Sequence, residues 1–88
     1  MNTPVTIIDP HSHIPLYVQL EQYLRELIQQ EEYQNGKLLP SEVEMAARFG
    51  VSRNTLRAAI DKLVQENLVT RKKGVGTMVN KHRIAAKL

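Results

Sequence analysis

The chain has 88 residues, no cysteine and a formal net charge of +3. That length suits one small domain, and without cysteine there is neither a disulfide framework nor a thiolate metal site. No apolar run approaches the ~20 residues of a membrane span and no secretory signal pattern opens the chain, so no membrane partner and a reducing, cytoplasmic setting are expected.

The charge is unevenly spread. Residues 1–36 carry five acids against one base, a balance of −4, and residues 37–88 carry eleven bases against four acids, a balance of +7. Such a concentration is the electrostatic footprint of a polyanion partner. Taken alone, it describes a solvated surface equally well.

Residues 1–13 show no helical period and contain Pro4 and Pro10. A flexible N-terminal arm over residues 1–14 is expected. Asp9, His11 and His13 have a spacing that a metal site can use. Such a site needs further ligands from other elements, and with no matching set in the chain no metal is expected. Pro15 suits the first turn of a helix, where no amide hydrogen bond is lost. Leu16, Tyr17, Leu20, Leu24, Leu27 and Ile28 then recur at three- and four-residue steps, which predicts a helix from about residue 15 to about residue 32.

Asn35-Gly36 signals a turn. Leu38-Leu39 makes a short extended piece, because Leu39 precedes Pro40 and is biased away from helix. Ser41 is a good N-cap, and Glu44 three residues on completes a capping box for a helix ending at Phe49. Gly50 closes that helix in a left-handed conformation, and Ser52 caps the next. In this second helix Leu56, Ala59, Ile60, Leu63 and Val64 form one apolar stripe. Asn54, Arg57, Ala58, Asp61 and Lys62 lie outside it at ~100° per residue, and Arg53 sits at its edge. Asn67 suits a left-handed helix end.

Leu68-Val69-Thr70 and Thr77-Met78-Val79 have strand composition, and residues 72–76 suit a hairpin connection. The hairpin runs over residues 68–80 with Arg71-Lys72-Lys73-Gly74 at its tip. Residues 81–88 read as the beginning of a linker or helix.

Two short helices, a tight turn and a basic hairpin make a winged helix-turn-helix: mainly α, three helices plus a small antiparallel β-hairpin, over residues 15–80. The motif needs a small residue where its helices cross, a turn glycine and apolar residues at fixed offsets. Ala46, Gly50, Val51, Leu56 and Ala59 fill these places. The expected partner is therefore double-stranded DNA. One competing reading is a helical protein-interaction module, which leaves the basic hairpin without a role. The other, a small metal-dependent hydrolase, lacks its ligand set. With no nucleophile–base–acid constellation and no Walker phosphate loop, neither enzymatic activity nor a cofactor is expected.

Several side chains have roles to fill at such an interface. Ser52 caps its helix and can meet a phosphate beside the exposed amides. Arg53 and Arg57, one turn apart, present forks that match O6 and N7 of guanine. The alternative is that either pairs with a phosphate, or Arg57 with Asp61 at i+4. Asn54 is open to adenine edges, thymine methyls or phosphates, and phosphate is favoured for Thr55. Ser41 is counted among the DNA-binding residues, and Arg48 is placed near a phosphate rather than a base. In the wing, Lys72 and Lys73 supply charge and Gly74 permits close approach.

The sequence resembles the GntR family of bacterial transcription regulators. The resemblance rests on Pro15-Leu16-Tyr17, on Leu39-Pro40-Ser41-Glu42, on Phe49-Gly50-Val51-Ser52-Arg53, on Thr55-Leu56-Arg57 with Leu63, and on Gly74-Val75-Gly76-Thr77 with Val79. It spans about residues 15–80. It implies a homodimer on an inverted-repeat operator, often with GT and AC at its ends. It also implies base contact at Arg53 and Arg57, and a wing whose Lys72, Lys73 and Gly74 touch the minor groove and backbone. A C-terminal domain would bind a small-molecule effector that commonly releases the protein from DNA, and the Pro-Leu-Tyr opening points to the HutC-like branch. The function implied is that of the DNA-reading domain of a metabolite-responsive repressor. Two positions depart from the pattern. Val43 stands where an arginine is usual, which removes an implied base contact, and Asn67 stands where glycine is usual. Val43 is expected to face DNA; the alternative is packing against Ile60 or the wing.

Overall fold

Three apolar helix stripes and one face of a hairpin close on a single core. The structure, a computed structural model, describes residues 8–34 and 36–81. Its helices are α1 (Leu16–Ile28), α2 (Glu42–Phe49) and α3 (Arg53–Gln65), and its strands β1 (Val69–Lys72) and β2 (Gly76–Val79), with a 3-10 turn at Glu31–Tyr33. The core comprises Leu20, Leu24 and Ile28 of α1, Met45 and Ala46 of α2, Leu56, Ala59, Ile60 and Leu63 of α3, and Val69 and Val79 of the strands, with Tyr33 and Leu39. Fully burying each of its Leu, Ile, Val or Met side chains contributes about 1.5–3 kcal/mol. α3 is central, packing on α1, α2 and β1.

α1 ends at Ile28 rather than near residue 32, with Gln29 as its cap and Gln30 extended (φ −73, ψ 149). The break has a geometric reason. In an unbroken helix Tyr33 would point about 140° away from Ile28. The 3-10 turn resets the direction and buries the Tyr33 ring.

The expected arm over residues 1–14 needs correction for residues 8–14; residues 1–7 lie outside the described residues. Gln19, only 6% exposed, holds the segment to α1. Its Nε2 donates to the carbonyls of Asp9 (2.9 Å) and Ile14 (2.7 Å), and its Oε1 accepts from the Asp9 amide (2.6 Å). Ile8 packs against the core. A glutamine that pairs with backbone leaves no periodicity to read.

The turn between α2 and α3 follows from its caps. Ser41 Oγ accepts from the Glu44 amide at 3.0 Å, and Ser52 Oγ from the Thr55 amide at 3.1 Å. Only the serine half of the expected capping box forms, because the Glu44 carboxylate pairs instead with Arg48 at 3.3 Å. Gly50 takes φ 68, and the Val51 amide reaches back to the Ala46 carbonyl at 3.1 Å, a Schellman closure. Asn67, at φ 61, ends α3 the same way, with Leu68 N on the Leu63 carbonyl at 3.0 Å.

The hairpin register pairs Val69 with Val79 and Lys72 with Gly76. The connection is therefore Lys73-Gly74-Val75, shorter than the five residues expected, because Lys72 and Gly76 join the ladder. Residues 37–39 add a third extended segment: Leu39 N donates to the Thr77 carbonyl (2.8 Å) and Val79 N to the Lys37 carbonyl (2.9 Å). At the open end of the hairpin, Asn80 Nδ2 donates to the Asn67 carbonyl at 2.7 Å. The expected linker beyond Lys81 lies outside the described residues. Arg25 clasps α1 to the end of α3 through both carboxylate oxygens of Glu66 (2.5 and 2.8 Å) and also pairs with Glu21 (2.6 Å). Its hydrogen bond holds the Glu66 carboxyl below the usual carboxylate range.

Gln19→Ala should leave its backbone partners unpaired and lower stability by about 1–3 kcal/mol. Thermal melting measures the loss, and faster hydrogen exchange at the Asp9 amide locates it. An unchanged exchange rate there would show that residues 8–14 are held by other contacts.

Candidate nucleic-acid interface

Two helix starts and the wing meet on one side of the molecule. The pairing of residues 37–39 with β2 leads directly into Pro40 and Ser41, so α2 begins beside the wing. The burial of Leu56, Ala59, Ile60 and Leu63 turns the opposite face of α3 outward. Between these elements lies an open cleft of about 540 Å³, lined by Ser41, Glu42 and Val43 of α2, Arg53 and Arg57 of α3, and residues 71–77 of the wing. A second depression is lined by Ser52, Arg53, Asn54 and Arg57. Arg53 and Arg57 therefore belong to both.

Most of the residues marked by the sequence come together here. Ser41, Arg53, Arg57, Lys72, Lys73 and Gly74 share the cleft, and Ser52 and Asn54 share the adjoining depression. Thr55 is half-buried, and its Oγ1 accepts from Ser52 Oγ at 2.9 Å. Arg48 lies apart, exposed on the last turn of α2. Gly74 adopts φ 77 with open space where a Cβ would stand, so the turn itself requires glycine. Among the described residues Arg53, Lys72 and Lys73 have no ion-pair partner, and their charge is open to a ligand.

Glu42 was given no role at the interface by the sequence, yet it joins three elements. Its Oε1 accepts from Arg57 Nη1 at 3.2 Å and its Oε2 from Arg71 Nε at 3.3 Å. Arg71 also holds Asp61. Arg57 therefore pairs across to α2 rather than with Asp61 at i+4. Arg71, expected at the hairpin tip, lies in β1 and turns back onto α3. Partial burial opposes its charge, but the hydrogen bonds and attraction of Asp61 and Glu42 outweigh that and hold the guanidinium above its ordinary value. A glutamate in the first turn of α2 is already explained by the helix dipole. Its cross-element partners, 15 and 29 residues away, leave no local signal.

Val43 is 57% exposed and lines the cleft, while Ile60 is buried. It stands outside the core and does not pack against Ile60 as a buried residue. In the segment before α1, the Asp9 carboxylate accepts from the His11 amide at 2.9 Å. Among the described residues no group of three or more His, Cys, Asp or Glu is placed to hold a metal ion, and no helix is long and apolar enough to cross a membrane.

The profile of the gntR family of bacterial regulatory proteins matches residues 16–79. The chain belongs to the GntR family. It is 44% identical over 77 residues to the HTH-type transcriptional repressor NagR of Bacillus subtilis (strain 168), covering 88% of this chain and 32% of that protein. It is 39% identical over 72 residues to the mannosyl-D-glycerate transport/metabolism system repressor MngR of Escherichia coli (strain K12), covering 82% and 30%. The chain thus spans about a third of the length of these relatives. Its fold matches the AraR DNA-binding domain in complex with operator ORE1, with TM-score 0.73 and 32% identity over 85% of this chain and 92% of that one. The complex with operator ORX1 gives TM-score 0.75 and 33% identity over 91% and 99%. Three helices and a two-stranded antiparallel hairpin make this chain a GntR-family DNA-binding domain, of a family of transcription regulators rather than enzymes.

In this GntR domain Glu42→Ala should release Arg57 and Arg71 together. Both pairs are partly exposed, so the expected loss is about 1 kcal/mol, read as a lower urea midpoint at unchanged slope. An unshifted midpoint would mean that the two pairs add nothing to folding stability.

Proposed function

We propose that this chain reads duplex DNA sequence-specifically, as the operator-binding part of a metabolite-responsive bacterial repressor. The supporting observation is the position of Arg53 and Arg57. They stand one turn apart on the outward face of α3, between two depressions and opposite a wing carrying Lys72 and Lys73. Their planar forks suit guanine O6 and N7 in the major groove. Ser52 and the first amides of α3 suit a phosphate, as do Thr55 and Ser41. Asn54 is exposed beside them and suits an adenine edge or a phosphate. Lys72 and Lys73, with Gly74 between the strands, suit the DNA backbone at the wing, and Arg48 a more distant phosphate.

A homodimer on an inverted repeat would match two such faces to two half-sites. The remaining length of the relatives leaves room for a C-terminal domain that binds a small-molecule effector. The names of NagR and MngR, both repressors, support repression. A DNA partner supports a cytoplasmic location.

Arg53→Ala and Arg57→Ala should each cost base discrimination of roughly 1–3 kcal/mol at one operator position per half-site. A base-by-base binding profile on duplexes selected from a randomised library tests this. Equal weakening on selected and random DNA would make that arginine a phosphate ligand instead.

Replacing Lys72 and Lys73 together with alanine should weaken binding to all duplexes alike. The slope of log affinity against log salt should become shallower by about 0.9 for each phosphate that the wing no longer neutralises. Titrations at several salt concentrations measure it, and an unchanged slope would remove the wing from the interface.

A further inference from the structure

We propose that Val43 selects thymine, its exposed side chain meeting the C5-methyl group of one base in each half-site. The inference rests on the reading of this chain as a sequence-specific DNA binder and adds a specificity-determining residue to it. Val43 lies in the first turn of α2, more than half exposed, in the same cleft as Arg53 and Arg57. It is not needed for packing, since Met45 and Ala46 supply the buried face of that helix. Glu42 beside it is turned back onto Arg57 and Arg71 at 3.2 and 3.3 Å. What the first turn of α2 offers to the open cleft is therefore an apolar group without a charge.

The cations around it account for attraction to phosphate and for guanine contact, and neither uses an apolar surface. Water would leave Val43 exposed at no gain. On the base edges of the major groove, the one apolar group is the thymine methyl. Duplex DNA seated against Arg53 and Arg57 thus offers this side chain one kind of partner. The other exposed valine of the cleft, Val75, sits at the wing tip and serves as a comparison.

The test uses the 88-residue chain and duplexes that it selects from a randomised library. Each thymine of the selected sites is replaced by deoxyuridine, which lacks only the C5-methyl. At one thymine per half-site the replacement should weaken binding roughly fourfold, the equivalent of one methyl-sized group returned to water. Val43→Ala should bind the thymine and uracil duplexes equally at that position, while Val75→Ala should keep the full uracil response. Val43→Arg should exchange the thymine preference for guanine, whose O6 and N7 suit the fork.

Uracil without effect at every thymine, or a uracil response that survives Val43→Ala, overturns the proposal. So does a lowered melting temperature of Val43→Ala, which would place the side chain in the core. If selection yields no consensus at all, the operator reading itself falls and this one with it. A consensus that depends on Arg53 and Arg57 but ignores uracil overturns the Val43 assignment alone.

Discussion

Complete burial of one stripe of α3 is the constraint on which the rest of the molecule depends. Leu56, Ala59, Ile60 and Leu63 are inaccessible to solvent, and their helix packs on α1, α2 and β1. A helix held along one stripe has no freedom to rotate, because turning it would expose several large side chains at about 1.5–3 kcal/mol each. The outward positions of Arg53, Asn54 and Arg57 are therefore fixed by residues that never approach a ligand. Core and candidate interface are two faces of the same thirteen-residue helix.

The second constraint is backbone geometry at the helix ends. α2 and α3 both finish in left-handed residues, Gly50 and Asn67, whose closures redirect the chain within one or two positions. Asparagine tolerates this conformation better than most side chains, and the Asn67 carbonyl also receives Asn80 from the far end of the hairpin. The wing is thus tied to the end of α3 at its base. Residues 37–39 pair with β2 and tie it to the start of α2 as well.

Charge in the cleft is partly internal. Glu42 and Asp61 hold Arg57 and Arg71, which reduces the field of the bare sequence. It also holds in place two long side chains that would otherwise sample many rotamers. Half-exposed pairs of this kind contribute little to stability. Their larger effect is on where the guanidinium groups stand before a ligand arrives. Arg53, Lys72 and Lys73 keep their charge open, and they stand on the two walls of the cleft, one on α3 and two on the wing.

What the sequence by itself determined is what local rules control. The apolar stripe of α3, the serine caps, the left-handed ends and the strand composition of the wing each depend on residues within a few positions of one another, so periodicity and cap chemistry exposed them. The grouping of Arg53, Arg57, Lys72 and Lys73 was legible through the motif instead, because a helix-turn-helix with a wing brings those distant positions to one side. Tertiary structure alone decided the rest. It ended α1 early so that Tyr33 could enter the core, fastened residues 8–14 through Gln19, and turned Arg71 inward to Asp61 and Glu42. It also recruited residues 37–39 to the sheet. Each of these depends on a partner far along the chain or on a hydrogen bond to backbone. Neither produces a pattern in residue type, and only the folded chain supplies the partner.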